Sequence, residues 1–240
     1  MDKENQSRHI SKQFDHELEE IRNRVLSMGG LVEQQLSKAV QALVDPDIEM
    51  AEEVIRDDYK VNALEVALDE ECTTVLARRQ PAARDLRLVI SVIKTITDLE
   101  RIGDEAKRIA RQAIDLASLP TKKNQFVDLE QLGHHVCGML RDALDAFARL
   151  DVEQALDVAV EDQQVDKEYD SLMRQQMTYL IEDPRTIPAT LDIMWSARAL
   201  ERVGDRSCNI CEYVIYQVKG KDIRHISIEQ VEKDFGRPER

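Results

Sequence analysis

The stretch Leu99-Glu100-Arg101-Ile102-Gly103-Asp104 recurs, with one change of Ile to Val, as Leu200-Glu201-Arg202-Val203-Gly204-Asp205. In each copy the Glu and the Asp are four residues apart, so on a helix their carboxylates lie on one face, one turn apart. Two like charges so placed destabilise a helix by about 0.2 to 0.5 kcal/mol, and a positive charge is expected between them. The repeated phrase therefore predicts two helical units that each present a pair of carboxylates to a cation.

The sequence around the phrase repeats as well. Residues 136–166 align with residues 32–62 at a shift of 104 positions, and apolar residues in both recur at the three- and four-residue spacing of a helix. The sequence predicts an all-α protein of two tandem three-helix bundles, with six long antiparallel helices related by an internal pseudo-two-fold repeat. The predicted units are residues 1–119 and 125–220, separated by the polar linker Leu119–Asn124, with residues 221–240 as a loose charged tail.

Composition narrows the class of protein. The 240 residues are 42% hydrophobic but only 4% aromatic, with 8 glycines, which argues against an all-β fold. The net charge of −14 would repel nucleic acid and attract divalent cations, although it also serves solubility alone. No apolar run approaches the ~20 residues of a membrane span, and the polar start predicts no signal peptide. With four cysteines interpreted as reduced, the prediction is a cytoplasmic protein without direct membrane insertion.

Further oxygen-bearing side chains extend each carboxylate pair. Asn209 follows Asp205 by one helical turn, and the preceding helix of each unit carries two polar residues four apart that could face the pair. Carboxylate and amide oxygens suit Mg²⁺, Mn²⁺, Ca²⁺ or iron. No Cys or His joins these groups of side chains, which disfavours a structural zinc site. The candidate metal ligands are Asp58, Asn62, Glu100 and Asp104 in the first unit and Asp162, Asp166, Glu201, Asp205 and Asn209 in the second.

Two other interpretations of the phrase remain open. The charges could be ordinary solvated positions, or each Glu could pair with an arginine while Gly103 and Gly204 let helices approach closely. Arg101 and Arg202 would brace the carboxylates in either case. The chain has no P-loop, no G-x-G-x-x-G, no G-x-S-x-G and no Glu-x-x-His pair, so no catalytic or organic-cofactor site is predicted.

The doubled phrase resembles the PhoU family, the phosphate-specific transport system accessory proteins. The likeness covers about residues 8–220 and includes Met28-Gly29-Gly30-Leu31-Val32-Glu33, Arg79-Gln80-Pro81, Asp85-Leu86-Arg87 and the run from Asp205 to Glu212. The family's E/D-x-x-x-D motif, which is associated with multinuclear metal clusters, falls on the pairs Glu100 and Asp104, Glu201 and Asp205, and Asp162 and Asp166. The first unit departs from this pattern, because Asn62 stands where the second unit has Asp166 and Arg108 stands near the place of Asn209. Because of these departures, we expect the first site to be weaker or differently occupied, and Glu201, Asp205 and Asn209 to form the stronger site.

The resemblance also implies a function. It indicates a dimer-prone negative regulator of the phosphate-starvation response that modulates phosphate uptake. Such a protein would link the ATPase subunit of the phosphate ABC transporter to the phosphate-sensing histidine kinase. It would act as a metal-binding adaptor rather than an enzyme. The alternatives are a carboxylate-rich metalloenzyme acting on phosphate or polyphosphate, and a purely structural bundle.

Overall fold

The computed structural model describes residues 2–119 and 126–224 together with residues 226, 230, 231 and 233, and side chains from Lys12 onward. Its helices are α1 (Asp2–Val44), α2 (Ile48–Asp57), α3 (Tyr59–Arg79), α4 (Ala83–Ala117), α5 (Val127–Arg149), α6 (Val152–Glu182) and α7 (Ile187–Lys219), with a short 3₁₀ turn at Pro184–Thr186. Among these described helices, none is long and apolar enough to cross a membrane. Of the predicted linker, only Leu119 lies within the described residues.

The helices form the predicted six rods, since α2 and α3 follow one another with only Asp58 between them. Asp58 keeps right-handed helical dihedral angles, so the rod is interrupted for a single residue. Asp47 and Asp151, which stand at equivalent positions of the repeat, both cap a helix with their side chains. Gly220 ends α7 at φ 72°, in the left-handed conformation that is common for the residue after a helix. The all-α tandem repeat is therefore confirmed.

The two repeats share one core. We call α1–α4 the first repeat and α5–α7 the second. The pairing of α4 with α7, one helix from each repeat, is the most extensive helix contact, and the buried apolar residues form a single continuous cluster. Leu99, Ile102, Leu200 and Val203, the apolar members of the repeated phrase, are fully buried in it. The phrase thus fixes the central helix pair with its apolar positions and leaves its carboxylates at the edge of the core.

Charged side chains also join α4 to α7. The buried carboxylate of Asp98 accepts hydrogen bonds from Arg206 at 3.1 Å and from the Tyr213 hydroxyl at 2.8 Å. Two turns further along α4, Glu105 accepts a hydrogen bond from Arg202 at 3.2 Å. Arg202 therefore binds the opposite repeat, in addition to standing beside the carboxylates of its own phrase.

A second contact between the repeats brings α1 against α5 through glycines. A Cβ atom at Gly133 would lie 2.7 Å from Val40 Cγ1, and one at Gly29 would lie 2.5 Å from Leu144 Cδ2. Because Gly29 and Val40 are the repeat equivalents of Gly133 and Leu144, the two helices exchange the same apolar-side-chain-on-glycine contact. Gly29 and Gly133 therefore allow the close contact between α1 and α5, a role that the sequence alone does not reveal.

The C-terminal segment differs from the prediction. Ile223 and Val231 are buried, at 6% and 3% exposure, and belong to the core cluster. The prediction of a loose tail is wrong for these two residues. Their apolar side chains account for the difference, because burial of apolar area from water stabilises a packed arrangement.

We expect Gly133→Ala to lower the free energy of unfolding by about 1 to 3 kcal/mol, because the added methyl group overpacks against Val40, which is stiff at its branched Cβ. Gly138→Ala is the matched control on the same helix, since a Cβ there meets nothing within 4 Å. It should instead stabilise by up to about 1 kcal/mol through helix propensity. Chemical denaturation of both variants, and of Gly133→Ala combined with Val40→Ala, measures the effect. Equal behaviour of the two alanine variants would contradict this packing role.

Candidate metal centre

In the second repeat, four carboxylates lie between α6 and α7. We call Asp162 and Asp166 of α6, with Glu201 and Asp205 of α7, the second cluster. A Cβ atom at Gly204 would lie 3.1 Å from Asp162 Oδ1, so this carboxylate rests directly over the glycine. A Cβ atom at Gly204 would thus crowd the facing carboxylate, which would have to shift by a few tenths of an ångström to admit it.

Burial and neighbouring negative charges raise the pKa of three carboxylates in the second cluster, Asp162, Glu201 and Asp205. The pKa of Asp162 rises to about 6, first through burial and then through the negative charges of Asp166 and Asp205. Burial, followed by the charge of Asp166, raises the pKa of Asp205. Burial and the charge of Asp205 raise that of Glu201. These shared perturbations place the four predicted residues in one electrostatic group that lacks sufficient positive charge.

Two neighbours modify the second cluster. Arg198 donates a hydrogen bond to Glu201 Oε1, and this bond opposes the rise of the pKa of Glu201. The Arg198 guanidinium also lies 6.0 Å from the centre of the Tyr169 ring. The other oxygen, Glu201 Oε2, is buried and has no hydrogen-bond partner among the described residues. Cys208 lies beside Asp162, and its hydrogen bond to the carboxyl opposes the rise of the pKa of Asp162.

Asn209, the remaining predicted ligand of the second repeat, is directed elsewhere. Its Nδ2 lies 3.5 Å from Asp98 Oδ1, on the α4 side of α7. The structure thus brings together Glu201 and Asp205 with Asp162 and Asp166, and it places the Asn209 amide in the contact between the repeats.

In the first repeat, the equivalent space already contains a cation of the chain. Asp58 is 3% exposed, and its Oδ2 accepts a hydrogen bond from Lys107 Nζ at 2.6 Å. Above Gly103, a Cβ atom would lie 3.7 Å from Asp58 Oδ1 and 3.6 Å from Gln35 Oε1. Gly103 therefore faces Asp58 as Gly204 faces Asp162, but at ordinary van der Waals distance and with a second buried polar side chain beside the carboxylate.

The carboxylates of the first repeat form a group with more members than the sequence predicted. We call Asp58, Glu65, Asp69, Glu100 and Asp104 the first cluster. Burial, the charge of Asp104, and then those of Glu65 and Asp58 raise the pKa of Glu100. Burial and the charge of Asp69 raise the pKa of Glu65, while Arg101 lowers it. Asn62, also predicted, carries a buried Oδ1 without a hydrogen-bond partner in the described part of the chain.

Five residues around the clusters were missed in the sequence: Glu65, Asp69, Lys107, Arg198 and Cys208. Glu65 and Asp69 continue the spacing of Asp58 and Asn62 along one helical face, so that signal was available. Lys107 follows one carboxylate of the phrase by three residues, and Arg198 precedes another by three. This spacing was not informative, because pairs of charged residues three apart are common on unrelated helices.

The donor set fits a hard metal ion. Carboxylate oxygens supply nearly all of it, and three buried oxygens, on Asp58, Asn62 and Glu201, lack a hydrogen-bond partner among the described residues. In the same residues, no three His, Cys, Asp or Glu side chains are already gathered at one point that could hold an ion. Binding would therefore have to draw the carboxylates of α6 and α7, or of α3 and α4, toward the ion.

The fold and the two clusters define a tandem-repeat α-helical protein with facing carboxylates in each repeat. The chain belongs to the PhoU family, whose PhoU domain matches residues 25–113 and again 129–214. It is 52% identical to the phosphate-specific transport system accessory protein PhoU of Serratia marcescens, over 97% of this chain and 96% of that protein. It is 50% identical to the protein of the same description from Escherichia coli K12, with the same shares covered.

Solved structures agree with this assignment. The crystal structure of PhoU from Pseudomonas aeruginosa matches with a TM-score of 0.85 at 50% identity, over 87% of this chain and 100% of that one. The phosphate transport system regulatory protein PhoU from Streptococcus pneumoniae matches with a TM-score of 0.80 at 35% identity, over 87% and 98%.

We expect Asp162→Asn to stabilise the metal-free protein at pH 7.5. Because folding raises the pKa of Asp162 from 3.8 to about 6, the stability contributed by its protonated form is present below about pH 3.8 and is lost as the pH rises through about 6. The shift corresponds to about 3 kcal/mol, which partial solvent screening should reduce to about 1 to 2 kcal/mol. Urea denaturation at pH 7.5 and pH 5 measures it, with the exposed Asp170→Asn as the control. An unchanged or lower stability of Asp162→Asn at pH 7.5 would contradict this electrostatic account.

Proposed function

We propose that the protein is a metal-binding adaptor that negatively regulates the phosphate-starvation response and modulates phosphate uptake. Its family membership supports a role in phosphate transport regulation, because the relatives are named accessory proteins of the phosphate-specific transport system. The finer proposal is that it links the ATPase subunit of the phosphate ABC transporter to the phosphate-sensing histidine kinase in the cytoplasm, as a homodimer. The observation that carries the metal-binding part is the second cluster, where burial and neighbouring negative charges raise the pKa of Asp162, Glu201 and Asp205.

The residues of the second cluster would hold the ion. Asp162 and Asp166 present their carboxylates from α6, and Glu201 and Asp205 present theirs from α7. A bound divalent or iron ion would supply the positive charge that these groups lack, and would oppose separation of the two helices. Because α7 also forms the main contact of the second repeat with α4, a shift of α7 would move its side of the charged pairs between the repeats. A change of charge at the second cluster could thereby reach the contact between repeats.

The family description favours a regulator over a catalyst, since the relatives are named accessory or regulatory proteins. Phosphatase and polyphosphatase assays of the purified protein with Mn²⁺ or Mg²⁺ test the alternative of a metalloenzyme. We expect no turnover above that of a Glu201→Gln/Asp205→Asn variant. Turnover abolished by this double substitution would replace the adaptor proposal with an enzymatic one.

Metal binding should depend on the second cluster. We expect Asp205→Asn and Glu201→Gln each to weaken Mn²⁺ binding at the second cluster at least tenfold, because each removes a charged oxygen ligand. Isothermal titration of chelator-treated protein, with element analysis of the protein as purified, provides the measurement. The exposed Glu52→Gln, which removes the same charge from α2, is the control for bulk electrostatics. If Glu52→Gln weakened binding as strongly as the cluster variants, the proposed site would be wrong.

The regulatory role can be tested in cells. In a host whose own PhoU gene is deleted, this chain should silence a phosphate-starvation reporter in phosphate-rich medium. The Glu201→Gln/Asp205→Asn variant should lose at least half of that silencing, whereas Glu52→Gln should retain it at equal protein level. Full silencing by the double variant would show that the second cluster is not needed for regulation.

A further inference from the structure

We infer that the ammonium group of Lys107 occupies the place at Asp58 that a metal ion would otherwise occupy between the helices of the first repeat. This lysine therefore makes the two repeats differ in metal binding. The inference rests on the proposed metal-binding function. It assigns Lys107 a specificity role, with the buried oxygens of Gln35, Asp58 and Asn62 as the site that the lysine closes.

The first observation is the exchange between repeats at one position of the helix that bears the phrase. Lys107 stands three residues after Asp104, and Cys208 stands three residues after Asp205. Lys107 Nζ lies 2.6 Å from Asp58 Oδ2, and the Cys208 thiol lies beside Asp162, the equivalent of Asp58. A neutral thiol leaves the carboxylate of the second repeat in need of a cation, whereas the ammonium already supplies one in the first.

The second observation is a group of buried polar atoms beside that lysine. Gln35 of α1 is 4% exposed, and neither its Oε1 nor its Nε2 has a hydrogen-bond partner in the described residues. Its Oε1 and Asp58 Oδ1 converge above Gly103, where a Cβ atom would meet them at 3.6 and 3.7 Å. Asn62 Oδ1, one turn beyond Asp58, is likewise buried and unpartnered there. Three oxygens from two rods, two of which converge above Gly103, thus remain unsatisfied at and around Asp58, the partner of the ammonium, and buried oxygens normally have a partner.

The second repeat has no counterpart of this amide. Met139 stands at the position equivalent to Gln35 and is 1% exposed. The polar site is therefore specific to the first repeat, and it accompanies the lysine rather than the carboxylate phrase that both repeats share. The interruption of the helical rod at Asp58, which has no equivalent at Asp162 in α6, coincides with the same site.

The consequence is that the wild-type protein should bind a hard divalent ion first at the second cluster. In the first repeat, an ion at Asp58 must displace the ammonium. Lys107 is partly exposed, at 25% of its side chain, so its head group could move to solvent only after breaking the contact with Asp58. Removing the ammonium should open an oxygen-lined site formed by Asp58, Gln35, Asn62 and Glu100.

The test uses the full chain with metal binding at the second cluster removed by Glu201→Gln/Asp205→Asn. Any Mn²⁺ binding that is then measured occurs in the first repeat. In this background we expect Lys107→Met to bind Mn²⁺ at least tenfold more tightly than the parent, measured by isothermal titration and by the electron paramagnetic resonance signal of free Mn²⁺. The matched control is Lys60→Met, which removes an ammonium from the exposed pair with Asp57 and should change affinity less than threefold. Adding Gln35→Met to Lys107→Met should remove most of the gain.

Because Lys107→Met leaves the Asp58 charge unpaired, Lys107→Cys, which carries the residue of the second repeat, is the second variant. If either variant folds poorly without metal, Mn²⁺ should raise its melting temperature, and it should not do so for Lys107→Met/Asp58→Asn. Equal Mn²⁺ affinity of the parent, Lys107→Met and Lys107→Cys would overturn the inference. The wild type with its intact second cluster reports separately on the proposed function, so an absence of Mn²⁺ binding there would refute that proposal without deciding this one.

Discussion

Carboxylates that face one another across a helix pair repel, and this repulsion organises both repeats. In both repeats a carboxylate of one helix lies over the glycine of the phrase on the other, Asp162 tightly over Gly204 and Asp58 at ordinary van der Waals distance over Gly103. The same close approach desolvates the acids and raises the pKa of Asp162, Glu201 and Glu100. Every arrangement of these clusters must therefore include positive charge, from the chain or from solution.

The repeats meet that requirement with different side chains. In the second repeat Arg198 pairs with one oxygen of Glu201, and the buried second oxygen has no partner in the described residues. In the first repeat Lys107 pairs with Asp58, while Thr97, which stands where the second repeat has Arg198, donates a hydrogen bond to the Ile93 carbonyl of its own helix. The duplicated phrase fixes where the acids lie, and the residues around it decide how each group of acids is neutralised.

Periodicity predicted the six rods, because the spacing of the apolar residues reflects a helix geometry that repeats along its length. The carboxylate clusters were predicted in part for the same reason. Neither the direction of Asn209 toward Asp98 nor the contact of Gly133 with Val40 could be predicted, since both depend on how the two repeats pack together. The burial of Ile223 likewise requires a surface that only the assembled core provides.

The charged pairs between α4 and α7 make the association of the repeats selective. Arg206 stands where the first repeat has Glu105, and Arg202 stands where it has Arg101. If two copies of the first repeat met in this geometry, Asp98 would face a Glu105, and two copies of the second would set Arg202 against Arg206. Only the unlike repeats oppose opposite charges at both positions, at 3.1 and 3.2 Å. The two halves are thus complementary partners whose charges discriminate against pairing of either half with a copy of itself.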